Sequence, residues 1–342
     1  MDFHTFTVVE ASLAERISRL HTEDWSLSTK PDPSERHWSS HDGGSRVQFT
    51  RPEFRREAAV NDLDQCHEIV ITAADLAIAK NVQQLIYGGM LLGYPDTHTN
   101  KSPYPAIEYG ILDTTILQGD PFCGCFQFAE NGYLGCRIAQ AAWAESKFVY
   151  AIEKLKLSWR LDWFTPHSAS PRHGQVFDNE HPEYHYQTDA AFAIIAAFSA
   201  IEELGLEIRS SSKNPRFVDA DTGEWNPDVR QNAEKRLTDA GVNINEKFYW
   251  VHRGEPTMIE SEMKPILGDE SEYADGNVVR DRDMELVDAI HYVSWIRNFV
   301  AAHRFSELTK TISPYDVYNS QSLARRLIMS AVGYWKHPEF FG

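Results

Sequence analysis

Cysteine is scarce in this chain: Cys66, Cys123, Cys125 and Cys136 are the only four in 342 residues. So few thiols in so long a chain build no disulfide framework, and a reducing cytoplasm is the expected setting. The opening Met-Asp-Phe-His-Thr lacks the basic and apolar pattern of a leader. Long hydrophobic runs are missing as well. The longest, Ala190 to Ile201, is too short to span a bilayer and is closed by Glu202 and Glu203, so no membrane span is expected. Positive charge is in deficit: 33 Lys and Arg stand against 50 Asp and Glu, a net charge of -17. Such a balance repels a polyanion at long range and excludes a general nucleic-acid coat. There is no G-x-x-x-x-G-K-[ST] loop or dinucleotide fingerprint to support nucleotide hydrolysis, and no internal repeat.

What is present suffices for a substantial core. The chain is 42% hydrophobic and 12% aromatic, with nine tryptophans, which excludes a disordered polymer, and its length allows one large or two ordinary domains. Its organisation changes near residue 137. Residues 1–136 read as mixed α and β: a charged, turn-rich opening from Ser26 to Arg56, a strand over His67 to Thr72, a helix from Ala74 to Leu92, and a Pro/Gly/Thr-punctuated stretch from Gly93 to Tyr133. Residues 137–342 read as five helices: Ile138 to Leu161, Thr188 to Leu204 stopped by Gly205, Pro227 to Ala240 stopped by Gly241, Met284 to Phe305, and Ser322 to Tyr334. The fold class expected is mainly α. An acidic, glycine-containing segment from Glu260 to Asp288 reads as a solvated linker, or as a cover over a basic site.

The helix from Met284 to Phe305 is the most informative. Apolar residues recur on nearly every turn, yet Asp288, His291, Ser294, Arg297 and Asn298 fall within one half of its circumference at about 100° per residue. A greasy helix with one polar stripe is a central element whose stripe meets a partner, a cavity or another copy of itself. A permanently charged Arg297 among Trp295, Ile296, Phe299 and Val300 needs an anion, a carboxylate or an interface to face. On a straight helix His303 lies roughly 120° from Arg297, so a shared site calls for a bend, long reach or a second subunit.

Arg297 and Asn298, four further residues and then His303 form an arginine–polar–x4–histidine motif that resembles the signature of HEPN-domain ribonucleases. The resemblance covers residues 137–342 and implies a C-terminal bundle of about five helices acting as a homodimer, with two copies of the motif facing each other. It implies a metal-independent endoribonuclease that uses no cofactor, in the setting of a toxin or an anti-phage abortive-infection effector. Residues 1–136 would then be a sensor or regulatory part, answering to a regulatory partner or activating ligand. The residue types suit the chemistry. Histidine titrates near neutrality and can move protons, the arginine fork matches a phosphate, and the amide of Asn298 can position substrate or imidazole. From Ala289 to the end, six bases outnumber three acids, leaving -20 on the remainder. Arg304, Lys310, Arg325 and Arg326 are accordingly the candidate RNA-binding residues, or, for the last two, a solvated helix face.

Other readings stay open. Arg297 and His303 can serve as an ion-pair partner and a helix C-terminal dipole complement, with Asp288 or Glu307 neutralising the arginine, in a noncatalytic dimerisation or ligand-binding module. Cys123, Cys125 and Cys136 with His167, His173, His181 and His185 have the residue types for zinc, but at spacings of no familiar module. Adjacent Glu202 and Glu203 do not share a helix face, which disfavours carboxylate-dyad chemistry. Phe248, Tyr249 and Trp250, followed by Val251, His252 and Arg253, suit core packing better than base stacking.

Overall fold

The computed structural model describes residues 1–10, 13–31, 36–41, 44–49, 66–93, 132–161, 184–253, 259, 279–302 and 304–334. They are mainly helical with a few small sheets, and they fall into two compact units. One comprises Met1–Val149 with Tyr334–Gly342, the other Tyr150–Gly333. The division lies inside a helix, Ser146–Leu161, and the helix before it, Gly132–Trp143, runs across the compositional change at residue 137.

In the first unit three antiparallel strands, β1 (Asp2–Glu10), β2 (Trp25–Pro31) and β5 (Cys66–Ala73), form a sheet in the order β1-β5-β2. Ile69, Val70 and Ile71 of the central strand are all fully buried, so both of its faces are covered. That is why the sequence reads there as a continuous apolar run rather than an alternation. The expected strand at His67 to Thr72 lies inside β5. The Ser26 to Arg56 stretch holds more than turns: it carries β2 and a hairpin of β3 (Arg36–His41) and β4 (Gly44–Phe49). Most of the Gly93 to Tyr133 stretch, including Cys123 and Cys125, lies outside the described residues.

Helices α1 (Ala14–Ile17), α2 (Leu76–Gly93) and α3 (Gly132–Trp143) complete this unit, followed by the start of α4 (Ser146–Leu161). The single helix expected over Ile138 to Leu161 is therefore two helices with a break at Ala144 and Glu145. Its end is fixed by tertiary contacts, Trp143 Nε1 donating to Asp24 at 2.8 Å and Gln140 Nε2 to the His21 carbonyl at 2.8 Å. Helices α2 and α3 cross where Gly89 meets Gly135. A Cβ built on Gly135 would lie 2.5 Å from the Ile86 carbonyl oxygen and 2.6 Å from Met90 Cγ. Helix propensity alone favours Ala over Gly by up to about 1 kcal/mol, but a backbone oxygen at that distance cannot move aside cheaply, and overpacking costs about 1–3 kcal/mol. Gly135→Ala should therefore lower the urea midpoint. An unchanged or raised midpoint would show that the two helices separate freely.

The second unit is built on α5 (Tyr184–Glu203), α6 (Pro227–Asp239), α7 (Leu286–Trp295), α8 (Glu307–Lys310) and α9 (Pro314–Ala331), with a π-helical turn over Ile296–Ala301 continuing α7. Helix α5 buries Ala190, Ala191, Ala193, Ala196, Ala197 and Ala200, small side chains that let α9 and the π-helical turn pack along it. Gly205 at φ +70 and Gly241 at φ +86 follow α5 and α6 in the left-handed region, as the sequence led one to expect. Helix α9 starts earlier than its periodicity suggests. Ser313 accepts from the Asp316 backbone and Asp316 reaches back to Ser313, a reciprocal cap that carries the helix back to Pro314.

Two hairpins complete the unit. In one, β8 (Phe248–Arg253) pairs with β9 (Val279–Met284), so the stretch expected as an acidic linker up to Asp288 ends in a strand and the first turn of α7. Residues 260–278 lie outside the description. Phe248, Trp250 and Val251 are buried and Tyr249 is exposed, which places the aromatic group largely in the core. Trp250 stacks edge-on against Tyr292 of α7 at 4.4 Å. The other hairpin is short, β6 (Phe217–Asp219) with β7 (Glu224–Trp225).

Candidate functional site

The expected helix from Met284 to Phe305 is real in outline and different in detail. Met284 ends β9, α7 begins at Leu286, and after Trp295 the helix widens: Ala302 N–H donates to the Arg297 carbonyl at 2.9 Å, five residues back. A π-type turn of this kind is uncommon and alters the angular spacing of everything after it.

The polar stripe survives, and most of it is answered by the chain itself. Trp225 Nε1 donates to Asp288 Oδ1 at 2.7 Å. Arg216 donates to His291 Nδ1 at 2.9 Å and to Ser294 Oγ at 3.0 Å, and its remaining bonds go to Ser210 Oγ at 3.3 Å and the Ile208 carbonyl at 3.4 Å. Phe217 and Trp225 stand edge-on to the His291 ring at 4.8 and 5.5 Å. Asp288, His291 and Ser294 therefore meet the segment around β6 and β7, which corrects the expectation that the stripe as a whole faces a partner or a cavity. Burial pushes the Asp288 carboxyl up and the Arg216 guanidinium down from their ordinary values.

His291 is the histidine that this network holds, and it is unsuited to proton transfer. Burial, with the Arg216 charge beside it, pushes it down to about 3. It is neutral, accepts at Nδ1 and carries its proton on Nε2. Asp316, fully buried, moves the other way: burial raises it to about 6 against the bonds it accepts from Ser313. The two have opposite linkage. Between its depressed value and pH 6.5 the unfolded chain binds a proton that folded His291 refuses, so stability is lost as pH falls below 6.5, at about 1.4 kcal/mol per pH unit for a fully shifted group. Asp316 is protonated in the fold below pH 6 but in the unfolded chain only near 4, so its contribution is lost as pH rises from about 4 to 6. His291→Gln keeps an acceptor for Arg216 and should lose less stability than the wild type between pH 6.5 and 4. Asp316→Asn should show the reverse difference over the same range. Urea midpoints across pH would contradict this if all three curves ran parallel.

The stripe ends at Arg297 and Asn298, and there the burial relaxes. Arg297 Nη1 donates to Asn298 Oδ1 at 2.7 Å, and Asn298 Nδ2 reaches Ser294 Oγ at 3.4 Å. The guanidinium carbon lies 5.8 Å from the Phe198 ring centroid. Its carboxylate partner is Glu202 on α5, with Nη2 to Oε2 at 3.6 Å, and both side chains remain one-third exposed. Nε finds no acceptor among the described residues. Glu202, rather than Asp288 or Glu307, thus neutralises the arginine, while Glu307 pairs with Lys310. Nothing local in the sequence signals the Glu202 contact or the role of Arg216.

His303 lies outside the described residues. Of the other candidates, Arg304 is exposed, and Lys310 sits on the surface with its ammonium bonded to Glu307 at 2.8 and 3.0 Å. Arg325 is half-buried. Arg326 is held by Glu246 at 2.8 Å and the Lys247 carbonyl at 2.5 Å, contacts that share no residue with those of Arg297. Glu202 and Glu203 diverge as adjacent helical residues must: Glu203 pairs with Lys154 at 2.6 Å. Cys136 is a buried free thiol, and burial raises its pKa. Among the described residues no three His, Cys, Asp or Glu side chains gather as a metal-binding group; Cys123, Cys125, His167, His173 and His181 fall outside them. No helix among the described residues is long and apolar enough to cross a membrane.

No family model matches the chain, no curated protein matches it, and no solved structure matches it.

Proposed function

We propose that this protein is a metal-independent endoribonuclease with a HEPN-like helical bundle in its C-terminal half, working as a homodimer in a toxin or anti-phage abortive-infection setting. One observation carries the reading. Arg297 presents a guanidinium oriented by Asn298 at 2.7 Å, one-third exposed, and opposed among the described residues only by a carboxylate at 3.6 Å, beyond the reach of a charge-assisted hydrogen bond. A cation so placed can accept a phosphate without first being dug out of a core. The chain's net charge of -17 adds a reason for a local, rather than a general, contact with RNA.

In this reading a histidine base, His303, removes the proton from a ribose 2′-hydroxyl, and the freed oxygen attacks the adjacent phosphorus. Arg297 balances the charge that grows on the non-bridging oxygens. The bond from phosphorus to the 5′-oxygen breaks, and that oxygen takes a proton from the imidazolium of the second copy. The products are a 2′,3′-cyclic phosphate and a 5′-hydroxyl. Asn298 fixes the direction of the guanidinium. Arg304 and Lys310 follow the motif in sequence and are the nearest candidates for flanking phosphates.

The test is incubation of the purified full-length protein with total RNA in EDTA, alongside Arg297→Ala and His303→Ala. Cleavage by the wild type alone is expected. Equal cleavage by all three, or none by the wild type, would leave a noncatalytic binding module as the better account.

A further inference from the structure

Glu202 has no chemical role in the reading above, yet its carboxylate faces the guanidinium that would receive the phosphate. Its neighbour Glu203 is neutralised by Lys154 at 2.6 Å, whereas Glu202 meets Arg297 only at 3.6 Å, with both groups one-third exposed. Both glutamates lie at the C-terminal end of α5, the negative end of the helix dipole. Arg297 is thus approached by an anion at Nη2, while its Nε is buried without an acceptor among the described residues. Any ligand phosphate brought to the exposed end of this guanidinium, where Nη2 faces Glu202, feels the carboxylate as well as the cation.

We propose that Glu202 is a specificity-determining residue that shares the anion site of Arg297 and shifts its preference toward the singly charged phosphodiester within an RNA chain and away from the doubly charged phosphate at a chain end. The inference rests on Arg297 receiving a phosphate. Repulsion from the carboxylate scales with ligand charge, so a dianion is penalised by the square of the factor that penalises a monoanion. For charges about 5–6 Å apart in a nearly aqueous dielectric that factor is about three for a diester and about ten for a monoester. The consequence is a site whose hold on terminal phosphates is weaker, relative to internal linkages, than Arg297 alone would give, which suits an endonuclease.

The experiment measures binding, without cleavage, on the full-length protein by ligand-observed phosphorus NMR. One ligand is a uridine dinucleotide with a 2′-methoxy group on its first ribose, a single diester that cannot be cut. The other is uridine 3′-monophosphate at pH 7.5, mostly dianionic. Glu202→Gln should tighten the monophosphate about tenfold and the dinucleotide about threefold, and Arg297→Gln should lose both. If Arg297→Gln abolishes binding while Glu202→Gln changes neither ligand, or both by the same factor, the role given to Glu202 is wrong and the phosphate site at Arg297 stands. If the wild type binds neither ligand, or Arg297→Gln binds as well as the wild type, the phosphate site and this inference fall together. Unchanged thermal unfolding of Glu202→Gln would tie any gain to the site rather than to the fold.

Discussion

Arg297→Ala is expected to slow RNA cleavage by roughly 10²–10³-fold, the loss typical of removing one preorganised donor to a transition-state oxyanion. The fold should barely register the change. The pair with Glu202 is long and partly exposed, and exposed ion pairs contribute about 0–1 kcal/mol. A structural arginine gives the opposite pattern, with stability falling and any activity following it down. Arg297→Lys separates charge from shape: the ammonium keeps the charge but not the fork that matches a phosphate, so only part of the rate should return. The measurement is single-turnover cleavage of a defined oligoribonucleotide beside a urea titration of the same preparations. A variant that loses several kcal/mol of stability, or keeps full activity, would remove Arg297 from the mechanism.

Asn319→Ala should cost about 2–6 kcal/mol, because it leaves two buried backbone groups unpaired at about 1–3 kcal/mol each. Asn319 is fully buried on α9 and behaves as a one-residue strand. Its Oδ1 accepts from Val251 N–H at 2.9 Å, and its Nδ2 donates to the Val251 carbonyl at 2.6 Å. Those two bonds tie β8 to α9, and Trp250 beside them packs on Tyr292 of α7. Asn319→Asp is the sharper variant. It keeps the acceptor, replaces the donor with a second acceptor, and places a buried carboxylate against a carbonyl oxygen. Its stability should recover as pH falls and the carboxyl is protonated. A loss below about 0.5 kcal/mol for Asn319→Ala, within the range of an ordinary surface change, would mean that Val251 finds other partners.

The elements legible in the sequence are those fixed by local chemistry. Helix α6 is framed by Asn226, which caps it, by Pro227, and by Gly241 at positive φ. The β5 strand shows as an apolar β-branched run because both its faces are covered. The elements that were not legible are set by residues far apart in the chain. The break between α3 and α4 contains no glycine or proline and is placed by Asp24 and His21. The hairpin of β3 and β4 lies in a stretch whose charged and turn-forming residues mask the strands. The start of α9 depends on the mutual cap of Ser313 and Asp316, which a search for apolar periodicity passes over.

At the candidate site the polar stripe of α7 was readable from a 100° step, and Arg297 and Asn298 do end it together. What answers the stripe was not readable. Arg216, Trp225 and Glu202 come from other elements, and no spacing in the sequence links them to α7. The angle of about 120° between Arg297 and His303 holds only for a straight α-helix, whereas the chain widens into a π-helical turn over Ile296–Ala301. Charge bias near the C-terminus suggested a patch of four basic residues. Lys310 and Arg326 instead have their own carboxylates, Glu307 and Glu246, which a count of charges along the chain cannot reveal.

Chemical analysis of the RNA ends left by the wild-type protein in EDTA tests the central claim most directly, with Arg297→Ala run beside it. The account predicts new 2′,3′-cyclic phosphate and 5′-hydroxyl ends in the wild-type reaction and none above background in the variant. Ends carrying a 5′-phosphate, the same ends at the same rate from Arg297→Ala, or intact RNA throughout would contradict it.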